Sequence, residues 1–90
     1  MITVSINIIG KVQGVWYRQS AKEQAQLLGI TGQVRNEPDG SVHIIATGTK
    51  KQIDQFINWC KKGPPKAIVT DINFKELPLQ LFTHFSVERF

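Results

Sequence analysis

The chain changes its hydrophobic period within its first third, and that change limits the folds open to it. Between residues 3 and 9, Val4, Ile6 and Ile8 alternate with Thr3, Ser5 and Asn7. A period of two predicts a strand with one apolar face. From Tyr17 onward, Ala21, Ala25 and Leu28 recur at steps of four and three, the stripe of an amphipathic helix, and Gly29 is its natural C-terminal cap. Between the two lies Gly10-Lys11-Val12-Gln13-Gly14-Val15-Trp16-Tyr17-Arg18. A strand that feeds a helix through a glycine-containing loop leaves the loop N–H groups without a sheet partner. The N–H groups of the first helical turn lack an intrahelical one, and the positive end of the helix dipole lies behind them. Arg18 adds a guanidinium able to bind two phosphate oxygens at once. The stretch reads as an anion cradle with one fixed positive charge. Ser20 and Glu23 also fit a capping box, which would start the helix about one turn later; sequence alone leaves both starts open.

Residues 31–36 and 41–47 predict two strands joined by Glu37-Pro38-Asp39-Gly40, in which Asp-Gly favours a hairpin turn and Pro38 excludes ladder pairing at the tip. Thr49-Lys50-Lys51-Gln52 is a capping box that opens a second helix. Ile53, Phe56, Ile57 and Cys60 form its core stripe, Lys61 and Lys62 lie at its negative end, and Gly63-Pro64-Pro65 stops it. Residues 67–74 predict a strand with Ile68, Ile72 and Phe74 on one side. After a turn near Leu77-Pro78, Phe85 and Val87 mark a short final strand. The order β-α-β-β-α-β plus a C-terminal edge strand predicts an α+β fold, a ferredoxin-like sandwich. Two helices cover one face of a mostly antiparallel sheet, while Thr3, Ser5 and Asn7 on the other face meet water.

Ninety residues predict one domain spanning 1–90, whose core is a single sheet under a few helices. The apolar runs are far shorter than a bilayer span and the N-terminus lacks a signal-peptide pattern, so a cytoplasmic protein without a membrane partner is expected. Cys60 is the only cysteine, which excludes an internal disulfide and a cysteine metal cluster. A net charge of +4 favours anionic partners, but the basic residues are scattered, so charge does not separate a small anion from a nucleic acid.

The Gly10–Arg18 segment, followed by Gly32-Gln33-Val34-Arg35-Asn36-Glu37-Pro38-Asp39-Gly40, resembles the two signature segments of the acylphosphatases. Gly48 before the second helix and Gly63-Pro64-Pro65 after it match the same family, so the resemblance covers nearly the whole chain. It implies hydrolysis of a carboxyl-phosphate anhydride to a carboxylate and inorganic phosphate. The family's phosphate-binding arginine falls on Arg18 and its water-orienting asparagine on Asn36. Its cradle of backbone amides falls on Gly10, Lys11, Val12, Gln13, Gly14, Val15 and Trp16. One position departs from the pattern: Gln33 stands where many relatives carry an aromatic residue, which bears on acyl-group preference and leaves Arg18 and Asn36 untouched.

The chemistry is consistent with so few functional residues. An acyl phosphate is already activated, because a carboxylate is a good leaving group. Its hydrolysis needs charge neutralisation on the phosphoryl oxygens and a water held in line, which is work for Arg18, the loop amides and Asn36. No cofactor and no metal is expected, the partner is a small-molecule acyl phosphate, and a monomer is the simplest assembly. Each residue also has a plainer reading. Arg18 could be a solvated helix arginine and Asn36 a turn-entry residue. Trp16 and Tyr17 read as packing residues at the loop–helix junction, with Trp16 flanking a substrate acyl group as the lesser alternative. His43 and His84 are isolated, and Cys60 reads as a small core residue.

Rival functions fit less well. RNA-recognition modules share the element order, but they display aromatic residues on the central strands, and Thr3–Ile9 and Ser41–Thr47 contain none. No nucleic-acid partner is therefore expected. A metal carrier would need a Cys/His cluster near the first loop. A relative of the acylphosphatase-like module of hydrogenase-maturation proteins would act on carbamoyl phosphate with a larger partner, and no further segment here supports it. A non-catalytic phosphate- or RNA-binding module is the remaining alternative.

Overall fold

Side-chain alternation places one row of apolar residues across the whole sheet, and that row organises the molecule. The computed structural model describes residues 1–89. Its elements are β1 (Ile2–Lys11), α1 (Tyr17–Leu28), β2 (Thr31–Asn36), β3 (Val42–Gly48), α2 (Lys50–Lys62), β4 (Ile68–Leu77) and β5 (Phe85–Glu88). The sheet order is β4-β1-β3-β2-β5, antiparallel throughout except for the parallel β2–β5 pair. Register aligns Phe74, Ile6, Ile44, Val34 and Val87 in one line across all five strands. The three inner members are fully buried beneath the two helices, while Phe74, on the β4 edge, is 55% exposed. The expected helix stripes face the core: Tyr17, Ala21 and Ala25 of α1 are buried and Leu28 partly so, and Ile53, Phe56, Ile57 and Cys60 of α2 are buried. Among the described residues, no helix is long and apolar enough to cross a membrane.

Local signals account for the helix ends. At Gly29, in the left-handed region, the N–H donates to Gln26 O at 3.2 Å and the next N–H, of Ile30, donates to Ala25 O at 2.8 Å. This paired pattern satisfies the last carbonyls of α1. The α2 capping box is complete. The Gln52 N–H donates to Thr49 Oγ1 at 3.2 Å, and the Thr49 N–H donates to Gln52 Oε1 at 2.8 Å. The alternative capping box at Ser20 does not form, because Ser20 N–H already donates to Trp16 O at 3.0 Å within the first turn.

Three sequence expectations change. Strand β1 runs on through Gly10 and Lys11, which pair with Val69 and Ile68 beyond a bulge at Ile9. Strand β4 extends three residues further than periodicity suggested, to Leu77. Thr3 does not meet water: it is fully buried, with its Oγ1 2.7 Å from Thr47 Oγ1. The cause is topological. Strands β4 and β5 lie at opposite edges, so the connection between them must cross the sheet. It does so over this corner, where Thr47 donates to Gln80 O at 2.7 Å and Gln80 N–H donates to Thr3 Oγ1 at 2.9 Å. Ser5 and Asn7, farther along, stay half-buried.

Candidate active site

The connection from β1 to α1 is the short turn Val12–Trp16, and its sequence explains its shape. Val12 and Val15 are buried and anchor it to the core. Gly14, at φ 73°, turns the chain between them. Gln13 ties the turn to the β2–β3 hairpin: its Nε2 donates to Glu37 O at 2.8 Å and to Ser41 O at 2.9 Å. Trp16 closes the turn at the N-cap of α1 with φ 66°, the one positive φ outside glycine among the described residues. No side chain caps this helix end and no acidic residue occupies its first turn. The opening N–H groups of α1 are therefore not met by a capping side chain, an arrangement that, with the helix dipole behind it, favours an anion.

These groups open on a cavity of about 360 Å³. The turn contributes Val12, Gly14 and Trp16; the first turn of α1 contributes Tyr17, Arg18 and Gln19; β2 contributes Asn36; and the C-terminal strand region contributes Val87 and Arg89. Arg18 and Asn36, 18 positions apart in sequence, thus line one cavity. Arg18 reaches it from the first helical turn, steadied by an Nη1 hydrogen bond to Glu88 O at 3.0 Å. Asn36 is the last residue of β2, paired with Val42 where the hairpin begins. A second depression, about 690 Å³, adjoins the first over the hairpin and shares Arg18, Asn36 and Arg89 with it. Its one carboxylate, Glu37, lies 2.6 Å from Arg35 Nε.

Several residues of the expected amide cradle also have structural duties. Gly10 and Lys11 belong to the β1–β4 ladder. A Cβ on Gly10 would lie 2.1 Å from Ile68 O, so the close approach of β4 by itself requires glycine there. Val15 points into the core, and Gln13 spends its side chain on the hairpin. Tyr17 packs as expected: its hydroxyl donates to Cys60 O at 2.6 Å and its ring lies 5.5 Å from that of Trp59. Burial keeps the phenol protonated and pushes the Cys60 thiol up to about 12. Trp16 does not pack; it is 76% exposed at the cavity. The place of Arg89, Val87 and the Glu88 carbonyl at this cavity is not legible in sequence, where Val87 marks only the final strand, because it depends on the parallel β2–β5 pairing, for which no local pattern exists. Among the described residues, no group of three or more His, Cys, Asp or Glu side chains could hold a metal ion.

Fold and site together define an α+β domain that presents an uncapped helix N-terminus, an arginine and an asparagine to one cavity. The sequence matches the acylphosphatase family model over residues 4–87. It is 46% identical over 90 residues to an acylphosphatase of Methylococcus capsulatus, covering 99% of this chain and 98% of that one. The fold superposes on an acylphosphatase from Coxiella burnetii with a TM-score of 0.94 at 33% identity, covering 97% and 92% of the two chains. For the Bacillus subtilis acylphosphatase the TM-score is 0.91 at 34% identity, covering 99% and 100%. The chain belongs to the acylphosphatase family.

Proposed function

We propose that the Val12–Trp16 cavity hydrolyses acyl phosphates, with Arg18 and the cradle amides holding the phosphoryl group and Asn36 orienting the attacking water. The observation that carries this reading is the uncapped start of α1 opening on the same cavity as Arg18 and Asn36. A phosphoryl group there meets N–H donors, the helix dipole and a guanidinium, so the charge that builds on its oxygens is matched by dipoles already in place. The Asn36 carboxamide can accept a hydrogen bond from water and leave an oxygen lone pair aimed at phosphorus.

In the reaction, the water oxygen bonds to phosphorus and the bond from phosphorus to the bridging oxygen breaks. The electron pair leaves on a carboxylate whose conjugate acid has a pKa of about 4, so no general acid is needed. An amide is not a base at neutral pH, and among the described residues no carboxylate or histidine lines this cavity. The proton of the water accordingly passes to an oxygen of the phosphate itself. Turn, helix start and hairpin all come from one chain, so the proposed site needs no residue from a second subunit.

The test is metal-free hydrolysis of benzoyl phosphate. Wild type should turn it over. Arg18→Ala should lose affinity for inorganic phosphate, whereas Asn36→Ala should lose about 10²–10³ in kcat with phosphate binding largely kept. A wild-type protein that binds phosphate without turnover would sink the enzymatic reading in favour of a binding module. A pH–rate profile whose limbs fit an enzyme side chain and not the substrate phosphate would overturn the proton route.

A further inference from the structure

Trp16 is the residue of this site that packing does not explain. Its backbone occupies the left-handed region at φ 66°, where glycine is at ease and a bulky side chain is strained. The cradle accounts for that conformation, because the turn must deliver its amides and the start of α1 to one anion. It does not account for the indole. A residue held under strain for its backbone alone would be expected to be small, as Gly14 two positions earlier is. Nor does the ring contribute to the core: it is 76% exposed, and the aromatic contacts among the described residues join Tyr17, Phe56, Trp59 and Phe85 without it. Its place is on the wall of the cavity that holds Arg18 and Asn36, with Val12 and Val87 as apolar neighbours in the same lining.

We infer that the Trp16 indole is the docking surface for the acyl group, and that it makes this enzyme favour planar aryl acyl phosphates over small alkyl ones. The inference rests on the acyl phosphate reading above and adds the substrate class to it. The phosphoryl group is common to every such substrate and is met by the cradle and Arg18, so it cannot discriminate. Beyond the bridging oxygen the substrate is a carbonyl with its substituent, and the cavity offers that substituent a large aromatic face. A flat ring can stack on an indole in offset or edge-on geometry, whereas a methyl group covers little of it. Trp16 would then be the specificity residue, acting on the part of the substrate that Arg18 and Asn36 do not touch.

The experiment compares kcat/KM for benzoyl phosphate and acetyl phosphate, each divided by its uncatalysed rate, in wild type, Trp16→Gly and Trp16→Phe. Glycine takes the left-handed conformation without strain, so Trp16→Gly removes the indole and keeps the turn. The benzoyl-to-acetyl ratio should fall about tenfold in Trp16→Gly and be largely retained in Trp16→Phe. A second readout uses Trp59→Phe, which leaves Trp16 as the only tryptophan. Its fluorescence should change on binding benzoylphosphonate and change far less with inorganic phosphate. If Trp16→Gly lowers both substrates together and leaves the ratio in place, Trp16 serves only the cradle and the inference is overturned while the hydrolytic activity stands. If wild type hydrolyses neither substrate, the activity reading fails and takes this one with it.

Discussion

At the scale of single residues, Gln13 supplies the side-chain tie between the Val12–Trp16 turn and the β2–β3 hairpin. One carboxamide nitrogen bonds two carbonyls of the hairpin, at 2.8 and 2.9 Å, and so fixes the Val12–Trp16 turn to the hairpin that follows Asn36. Both carbonyls have a second partner, since Gly40 N–H donates to Glu37 O and Glu37 N–H donates to Ser41 O. Gln13→Ala therefore leaves neither of them orphaned, and should cost only about 1–2 kcal/mol of stability for two ordinary hydrogen bonds. The functional effect should be larger, with the Kd for inorganic phosphate, measured by calorimetry, rising severalfold as the turn loosens. An unchanged Kd alongside a lowered Tm would make Gln13 purely structural. In sequence Gln13 was one of seven cradle positions; that it acts through its side chain depends on a hairpin 24 residues away.

At the scale of elements, β2 positions Asn36 and is itself pinned at its start by Gly32. At φ 146° this residue faces β3 so closely that a Cβ would lie 1.9 Å from Ile45 O. Its N–H meanwhile donates to His84 O at 3.1 Å, which draws β5 alongside. Backbone on both sides leaves nothing flexible to yield. Gly32→Ala should therefore cost more than about 3 kcal/mol, a large part of the stability of a small domain. Gly14→Ala is the contrast: no atom lies within 4 Å of its built Cβ, so only the strain of φ 73° opposes it, about 1–2 kcal/mol. Urea unfolding of the two variants should separate them clearly. Equal losses would contradict the close packing of β2 on β3. Both glycines stand in the signature segments, but only the packed sheet shows that one serves a turn and the other a strand contact.

At the scale of the whole molecule, the face of the sheet away from the helices should make stability depend on pH. His43 pairs with Asn7 on β1 and Arg35 on β2. Partial burial is the main cause that holds its pKa below the ordinary value of 6.5; the Arg35 charge lowers it further, and Glu37 opposes both. The unfolded chain therefore binds a proton more readily than the folded one, so acid favours unfolding. The His43 contribution is complete above the ordinary histidine value and is lost as pH falls through it toward the lowered folded value. Urea midpoints measured between about pH 5 and pH 8 should fall on the acid side, and His43→Gln should flatten that slope. A slope equal in wild type and variant would assign the effect to other groups.

Also at this scale, local chemistry and long-range topology divided the work. The sequence by itself determined every element, the helix stripes, the α2 capping box, the Gly29 cap and the hairpin turn, because each depends on neighbours within four or five residues. It also marked Arg18 beside the glycine-containing loop, while Asn36 joined it as a candidate only through the resemblance of two contiguous segments to the acylphosphatase signatures. The tertiary structure decided what depends on contacts across the sheet. It carried β1 through Gly10 and Lys11, because β4 lies alongside them, and it buried Thr3 beneath the chain that crosses from one sheet edge to the other. It left Trp16 out of the core and at the cavity, and brought Glu88 and Arg89 to Arg18 and the site through a parallel pairing that no periodicity encodes. The physical reason is range. Propensity, capping and turn chemistry act along the chain, while the wall of a cavity is built from residues that meet only after the sheet has closed.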